Sequence, residues 1–201
     1  MALALLDFVS VRADGGTRLF AGSGSKATIA GDNNLHAWRI AGEIIDGWME
    51  VGTGFPLVSG QRATLGALPA HIEVSIPVRS LHDNEGTDSL MRRMLKAEPE
   101  PRIVFHSDHL ALTALPTAKD SSYKFEAQGY LVVAGITNQI SLPLSLLPRD
   151  GNEIRITGGM SAKMSSFGIA PPHIRIGDRD DAVKYRDEVQ VSIEWIVGPK
   201  P

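Results

Sequence analysis

Between Lys124 and Leu146 apolar residues recur at every second position. Phe125, Ala127, Gly129, Leu131 and Val133 form one series; Ile140, Leu142, Leu144 and Leu146 form the next. Successive side chains leave a strand on opposite faces, so a period of two predicts strands rather than helices. The intervening Gly135-Ile136-Thr137-Asn138-Gln139 carries a glycine and suits a hairpin connection. The pattern therefore predicts two long strands folded back on each other, each with a continuous apolar face. A lone hairpin is marginal in water, so the rest of the chain must supply further strands.

It does. Short strands are expected at Thr17–Phe20 and Lys26–Ile29, joined by Gly22-Ser23-Gly24-Ser25. Two more are expected at Leu35–Ile40 and Glu43–Val51, around a turn at Ala41-Gly42. From Thr53 to Leu68 glycine and proline are frequent and the periodicity fades, which predicts a loop with at most one irregular strand. Along His71–Arg79 the residues Ile72, Val74, Ile76 and Val78 alternate with Glu73, Ser75 and Pro77, and Pro77 belongs at a bulge or a strand end because it has no N–H for a ladder. Strands resume at Arg102–Ser107, Leu110–Leu115 and Glu153–Met164. In the closing strand, Glu188–Val197, the residues Val189, Val191, Ile193, Trp195 and Val197 share one face.

One segment breaks the rhythm. Thr87–Lys96 places Leu90, Met91, Met94 and Leu95 at helical spacing. Thr87 or Asp88 can cap its start, and Pro99 and Pro101 stop it. One helix among eight or nine antiparallel strands predicts an all-β chain, either a sandwich or an up-and-down barrel. A barrel of about eight strands has room inside for one small ligand.

The chain has 201 residues, enough for one domain with a sizeable core. A formal net charge of −3 argues against a nucleic-acid partner. With no cysteine, thiolate metal sites, disulfides and cysteine nucleophiles are excluded. No apolar run approaches the ~20 residues of a membrane-spanning helix. Residues 1–16 are expected to be a flexible N-terminus. Met1–Leu6 is apolar but lacks the basic region of a complete signal peptide, while Val11-Arg12-Ala13 fits a small-residue cleavage pattern, so a leader remnant and an ordinary flexible terminus both stay open. Residues 17–197 form the expected domain and 198–201 a short tail.

Polar chemistry is sparse. His106 and His109 lie three apart, which on a regular strand puts them on opposite faces, so no metal site is expected there. His36, beside Trp38, reads as a structural residue at a strand end. Asp178-Arg179-Asp180-Asp181 lacks the glycine and spaced glutamate of a calcium loop and reads as a solvated acidic turn. Ser121-x-x-Lys124 matches a serine–lysine catalytic pattern, but the accompanying Ser-Asp-Asn and Lys-Thr-Gly are absent. No catalytic residue and no cofactor is assigned.

Several segments resemble the YceI-like family of bacterial lipid- or polyisoprenoid-binding proteins with a lipocalin-like barrel. Ser25–Trp38, with its His36-x-Trp38 end, resembles the family's early strand pair. Leu95-Lys96-Ala97 through Pro101-Arg102-Ile103-Val104-Phe105 resembles its helix, proline and following strand. Gly129-x-Leu131, Gly135-Ile136-Thr137 and Ile140-x-Leu142-Pro143 carry the most specific likeness, and Ser166-Phe167-Gly168-Ile169 resembles the family's Phe-Gly-Ile motif. The likeness runs over residues 17–197. Asn138 stands where many members carry a basic residue, and Met164 and Ser166 where many carry an arginine and an acid.

The resemblance implies a lipocalin-like antiparallel up-and-down barrel. It also implies non-catalytic binding, transport or storage of a long apolar lipid, polyisoprenoid or quinone-like, in a periplasmic or secreted setting. From the residues alone, a close-packed interior of crystal-like density competes with a ligand slot. A slot would be lined by Ile76, Val78, Phe105, Phe125, Leu131, Ile140, Leu142, Leu144, Met160, Met164 and Phe167. The helix would cover its mouth with Leu90, Met91 and Met94, since methionine adapts to variable ligands. Arg92, Arg93 and Lys96 are the candidates to meet an anionic head. The alternative is a non-catalytic interaction or stress-response barrel with a filled core. Unpaired edge strands leave a homodimer open.

Overall fold

The computed structural model describes residues 16–83, 88–177 and 179–200. In chain order the strands are β1 (Thr17–Ala21), β2 (Lys26–Asn33), β3 (Ala37–Gly42), β4 (Asp46–Val51), β5 (Gly66–Pro77) and β6 (His82–Asp83). The helix α1 (Asp88–Met94) follows. Then come β7 (Arg102–Ala114), β8 (Tyr123–Val133), β9 (Ile136–Pro148), β10 (Ile154–Lys163), β11 (His173–Ile176) and β12 (Arg179–Gly198).

Eight of these strands close on themselves in the order β1-β4-β5-β7-β8-β9-β10-β12, with β12 returning to β1. Every pairing is antiparallel. The structure is thus a lipocalin-like β-barrel with one short helix. Its last strand is the long one. β12 pairs with β10 along one edge from Glu188 to Val197, and shares its other edge between β1 and β2. At the corner between those two strands, the buried Ser25 accepts a hydrogen bond from the Ile196 N–H at 3.0 Å and donates to the Gly22 carbonyl at 3.1 Å. A buried backbone donor is thereby satisfied where the ladder changes partner.

The two series of alternating residues form the β8–β9 hairpin, with inward Phe125, Ala127, Leu144 and Leu146 buried in the core. The connection is tighter than the glycine alone suggested. Val133 pairs directly with Ile136, and Ala134 and Gly135 both have positive φ, +51° and +80°. Two positive φ values make a mirror-image two-residue turn whose twist matches that of the strands. Residues 136–139 therefore belong to β9.

Other expectations change: Ala41 and Gly42 belong to β3, so the turn follows at residues 43–45, and Arg179, Asp180 and Asp181 open β12 rather than forming a turn. Arg102–Ser107 and Leu110–Leu115 are one continuous β7, because an extra residue is absorbed in the ladder rather than turned. Ser107 and Asp108 together oppose Gly129 of β8, and Ala70 and His71 of β5 oppose Asp108. These two-against-one bulges bring His106 and His109 onto the outer surface together, where regular alternation would separate them. Thr53–Leu68 is the expected loop as far as Gly66, where β5 begins, earlier than the His71 start expected. The helix stops before the expected Lys96: it ends at Met94, and Lys96 takes a left-handed φ of +52° while the Ala97 N–H reaches back to the Arg92 carbonyl at 2.8 Å. Thr87 lies outside the described residues, as do most of the N-terminus and Asp178.

The two ends of the barrel are closed differently. Below, the β4–β5 loop folds inward with Phe55 and Pro56 fully buried, and the Phe55 ring meets Phe125 at 5.6 Å between centroids. The Gln61 side chain holds this loop, accepting from the Leu57 N–H at 2.9 Å and donating to the Phe55 carbonyl at 3.0 Å. Above, a second apolar cluster joins Met91 of α1 and Leu95 just after it to Met164 and Phe167 of the short helical turn after β10 and to Ile169 beyond that turn. No helix among the described residues is long and apolar enough to cross a membrane.

Candidate functional site

Between these two closures lies a cavity of about 220 Å³. Protein interiors seldom leave a void larger than a water molecule, so a space of this size is a feature of the fold rather than a packing defect. It is elongated. Ile140 and Leu146 of β9 both line it, as do Val189 and Trp195 of β12. The six residue steps between the members of each pair amount to about 20 Å of strand. Alternate positions on β5, β7, β8, β9, β10 and β12 point into this space because each strand presents only one face to it.

Most of the residues expected to line a slot are on its wall. Ile76, Phe105 and Leu131 lie on one side, and Ile140, Leu142, Leu144 and Met160 on the other. Leu90, Met91 and Met94 of the helix meet Met164 and Phe167 over the top. Two expected residues are elsewhere. Val78 comes after the end of β5, in the short helical turn Val78–Ser80, and packs into the upper cluster. Phe125 is consumed by its contact with Phe55 in the floor.

Arg92 and Arg93 of the helix, whose apolar face is turned inward, and Lys96 just after it do not line the cavity. Arg92 donates to Asp88 Oδ2 at 3.4 Å, one turn back on the same helix. Lys96 Nζ donates to the Ala134 carbonyl at 3.1 Å. Arg93 is exposed. The charged residues that do border the cavity are Arg39, Asp83 and Lys163. Arg39 donates to Thr28 Oγ1 at 3.3 Å across the β2–β3 pair. No local motif singles out Arg39 or Lys163. Lys163 is the last residue of β10, and its neighbour Met164 begins the turn that roofs the cavity.

The roof is pinned by polar contacts. Asp187 accepts from the Ser165 N–H at 2.8 Å and the Ser165 hydroxyl at 2.5 Å. The hydroxyl bond, then the backbone bond, holds the Asp187 carboxyl below its ordinary value. Asp88 is likewise held low, first by the Asp83 N–H and then by His82, and ties the helix start to β6. Two wall residues, Trp38 and Trp195, bury their indole N–H without a hydrogen-bond partner among the described residues.

The barrel wall also has a seam. β9 and β10 pair only from Pro148–Ile154 to Leu144–Gly158. Beyond that point stands Pro143, which has no N–H to extend a ladder. Gly158 is closely fitted, since a Cβ there would lie 2.6 Å from Leu144 Cδ2. Above it the two strands run unpaired, with Ile140, Leu142, Met160 and Ala162 of the cavity wall beside the opening.

A model of the YceI-like domain matches residues 44–196. The matched segment begins after β3, so Ser25–Trp38 lies outside it. No curated protein sequence matches the chain. Among solved structures, BcnA of Burkholderia cenocepacia superposes with a TM-score of 0.56 at 17% identity, over 86% of this chain and 95% of that one. A polyisoprenoid binding domain from Saccharophagus degradans, implicated in plant cell wall breakdown, superposes with a TM-score of 0.62 at 9% identity, over 91% of this chain and 98% of that one. A YceI protein of Campylobacter jejuni gives 0.50 at 17% identity, over 85% of each chain. At these identities the likeness is one of fold.

Proposed function

This chain belongs to the YceI-like family, and from that premise we propose that it binds a long apolar lipid, polyisoprenoid or quinone-like, inside the barrel and carries it through an aqueous compartment. The observation that supports this reading most is the elongated apolar cavity, walled almost wholly by Leu, Ile, Val, Met and aromatic side chains. Each buried CH₂ contributes about 0.8 kcal/mol, so one five-carbon unit brings roughly 3–4 kcal/mol before ordering costs. Recognition by such a wall depends on the length and width of the ligand more than on hydrogen bonds.

Arg39 and Lys163 are the cationic groups placed to meet a polar head at the cavity's edge. The unpartnered indoles favour a ligand that carries an acceptor oxygen, because a buried N–H left unpaired costs about 1–3 kcal/mol. The function needs no catalytic residue, and a periplasmic or secreted setting fits a carrier between membranes.

Titration of delipidated protein with a long-chain isoprenoid quinone tests the reading. Trp38 and Trp195 border the cavity, so a quinone inside it quenches indole fluorescence in a saturable way. Quenching no greater than that of free tryptophan would favour a barrel that holds no ligand.

A further inference from the structure

On the outer surface of β5 and β7, away from the cavity, two histidines and two carboxylates converge. His71 and Glu73 alternate on the solvent face of β5, and Glu73 is the cross-strand partner of His106 on β7. The paired bulges at Ala70–His71 and Ser107–Asp108 then swing Asp108 back over both imidazoles. Ser107 is buried and locks this bulge, its hydroxyl donating to the Gln128 carbonyl at 2.7 Å. Gly129 opposite admits no side chain, since a Cβ there would lie 2.2 Å from the His106 carbonyl oxygen.

Asp108 divides its two oxygens between the rings. Oδ1 meets His71 Nδ1, and Oδ2 meets His106 Nε2 at 3.0 Å. A carboxylate only accepts, so the ring nitrogens facing it carry the protons. The other two nitrogens, His71 Nε2 and His106 Nδ1, are left as lone-pair atoms. They face Glu73 Oε1 at 3.9 Å and 3.8 Å, too far for hydrogen bonds. Three electron-pair donors thus gather on one patch of surface, all within 4.8 Å of one another.

We propose that this cluster is a divalent transition-metal site, with His71 Nε2, His106 Nδ1 and a Glu73 carboxylate oxygen as ligands and Asp108 orienting both imidazoles. Zinc bonds of about 2.0–2.1 Å at tetrahedral angles separate ligand atoms by roughly 3.3–3.4 Å, so Glu73 need approach each ring nitrogen by about half an ångström and the two nitrogens, within 4.8 Å of each other, by up to roughly 1.4 Å. Two imidazoles and a carboxylate select zinc, copper or nickel over the hard oxygen-seeking cations. The carboxylate behind each imidazole is the arrangement that fixes tautomer and raises ligand basicity in metal sites. The cluster is partly exposed, which leaves the remaining coordination positions to water. The Trp48 ring stacks on His71 at 4.8 Å and restrains that ring further.

The test uses the untagged full chain and zinc chloride alone, followed by calorimetry and by imidazole NMR. Saturable binding of one equivalent is expected, with ring signals of His71 and His106 shifting while those of His82 and His109 stay in place. H71A or H106A abolishes that binding, H109A leaves it unchanged, and D108N weakens it about 10–100-fold. Zinc that shifts other histidines, or binds the H71A/H106A double variant as tightly as the native chain, would overturn the site. The NMR arm reads the native chain, so it decides even if a variant fails to fold.

Discussion

The Asn138 side-chain amide donates to the Ser166 carbonyl at 2.8 Å, joining the upper part of β9 to the turn after β10. This bond spans the stretch in which the two strands have stopped pairing with each other. Removing it leaves the seam fastened mainly by apolar contact. Asn138→Ala should therefore cost about 1 kcal/mol in stability and speed ligand exchange more than it changes the floor of the barrel. Urea melts give the first quantity and stopped-flow lipid exchange the second. Unchanged exchange would show that the seam is not a route to the cavity.

The floor should behave as core. Phe55 is 2% exposed and touches Phe125. Phe55→Ala is expected to destabilise by about 3–5 kcal/mol, the usual range for deleting a buried aromatic ring. Chemical denaturation measures this directly. A loss below about 1 kcal/mol would mean that the β4–β5 loop lies on the barrel without closing it.

Ala162 lines the cavity beside the seam. Ala162→Phe should fill part of the space and lower the amount of lipid bound, while the far-ultraviolet spectrum stays native. Leu142→Arg is the harsher version, because it places an unpaired charge against an apolar wall. A folded Leu142→Arg protein with full lipid content would contradict the inward assignment of that face.

The roof should loosen in acid. The Ser165 hydroxyl and N–H hold the Asp187 carboxyl below its ordinary value in the folded protein. A depressed carboxyl stabilises fully above the ordinary carboxylate range, and that stabilisation is lost as pH falls through about 4 and below. Thermal melts at pH 6 and pH 3 should therefore differ more for the native chain than for Asp187→Asn. Equal pH dependence in the two would remove the role given to this contact.

Much of this architecture was legible in the chain. Period-two patterning marked β8, β9, the alternating part of β5 and the second half of β12, because those strands have one buried and one wet face. Helical spacing marked α1 by Leu90, Met91, Met94 and Leu95. What escaped depends on partners distant in sequence. The bulge at Ser107–Asp108 exists because Gly129 lies across from it, so β7 read as two strands. The convergence of His71 with His106 follows from cross-strand register, which spacing along the chain does not encode. The facing of Arg92 away from the cavity is set by which side of the helix packs, and that of Lys96 by the left-handed residue that ends the helix. Arg39 and Lys163 reach the rim from strands whose local pattern is unremarkable, so only the assembled barrel places them.

The central claim is an occupied apolar interior, and the most direct measurement is mass spectrometry of organic extracts from the purified, untagged protein. A co-purifying isoprenoid lipid or quinone near one equivalent is expected, and Ala162→Phe should carry less of it. Repeated preparations free of any such lipid, together with no uptake by the refolded chain, would contradict the account.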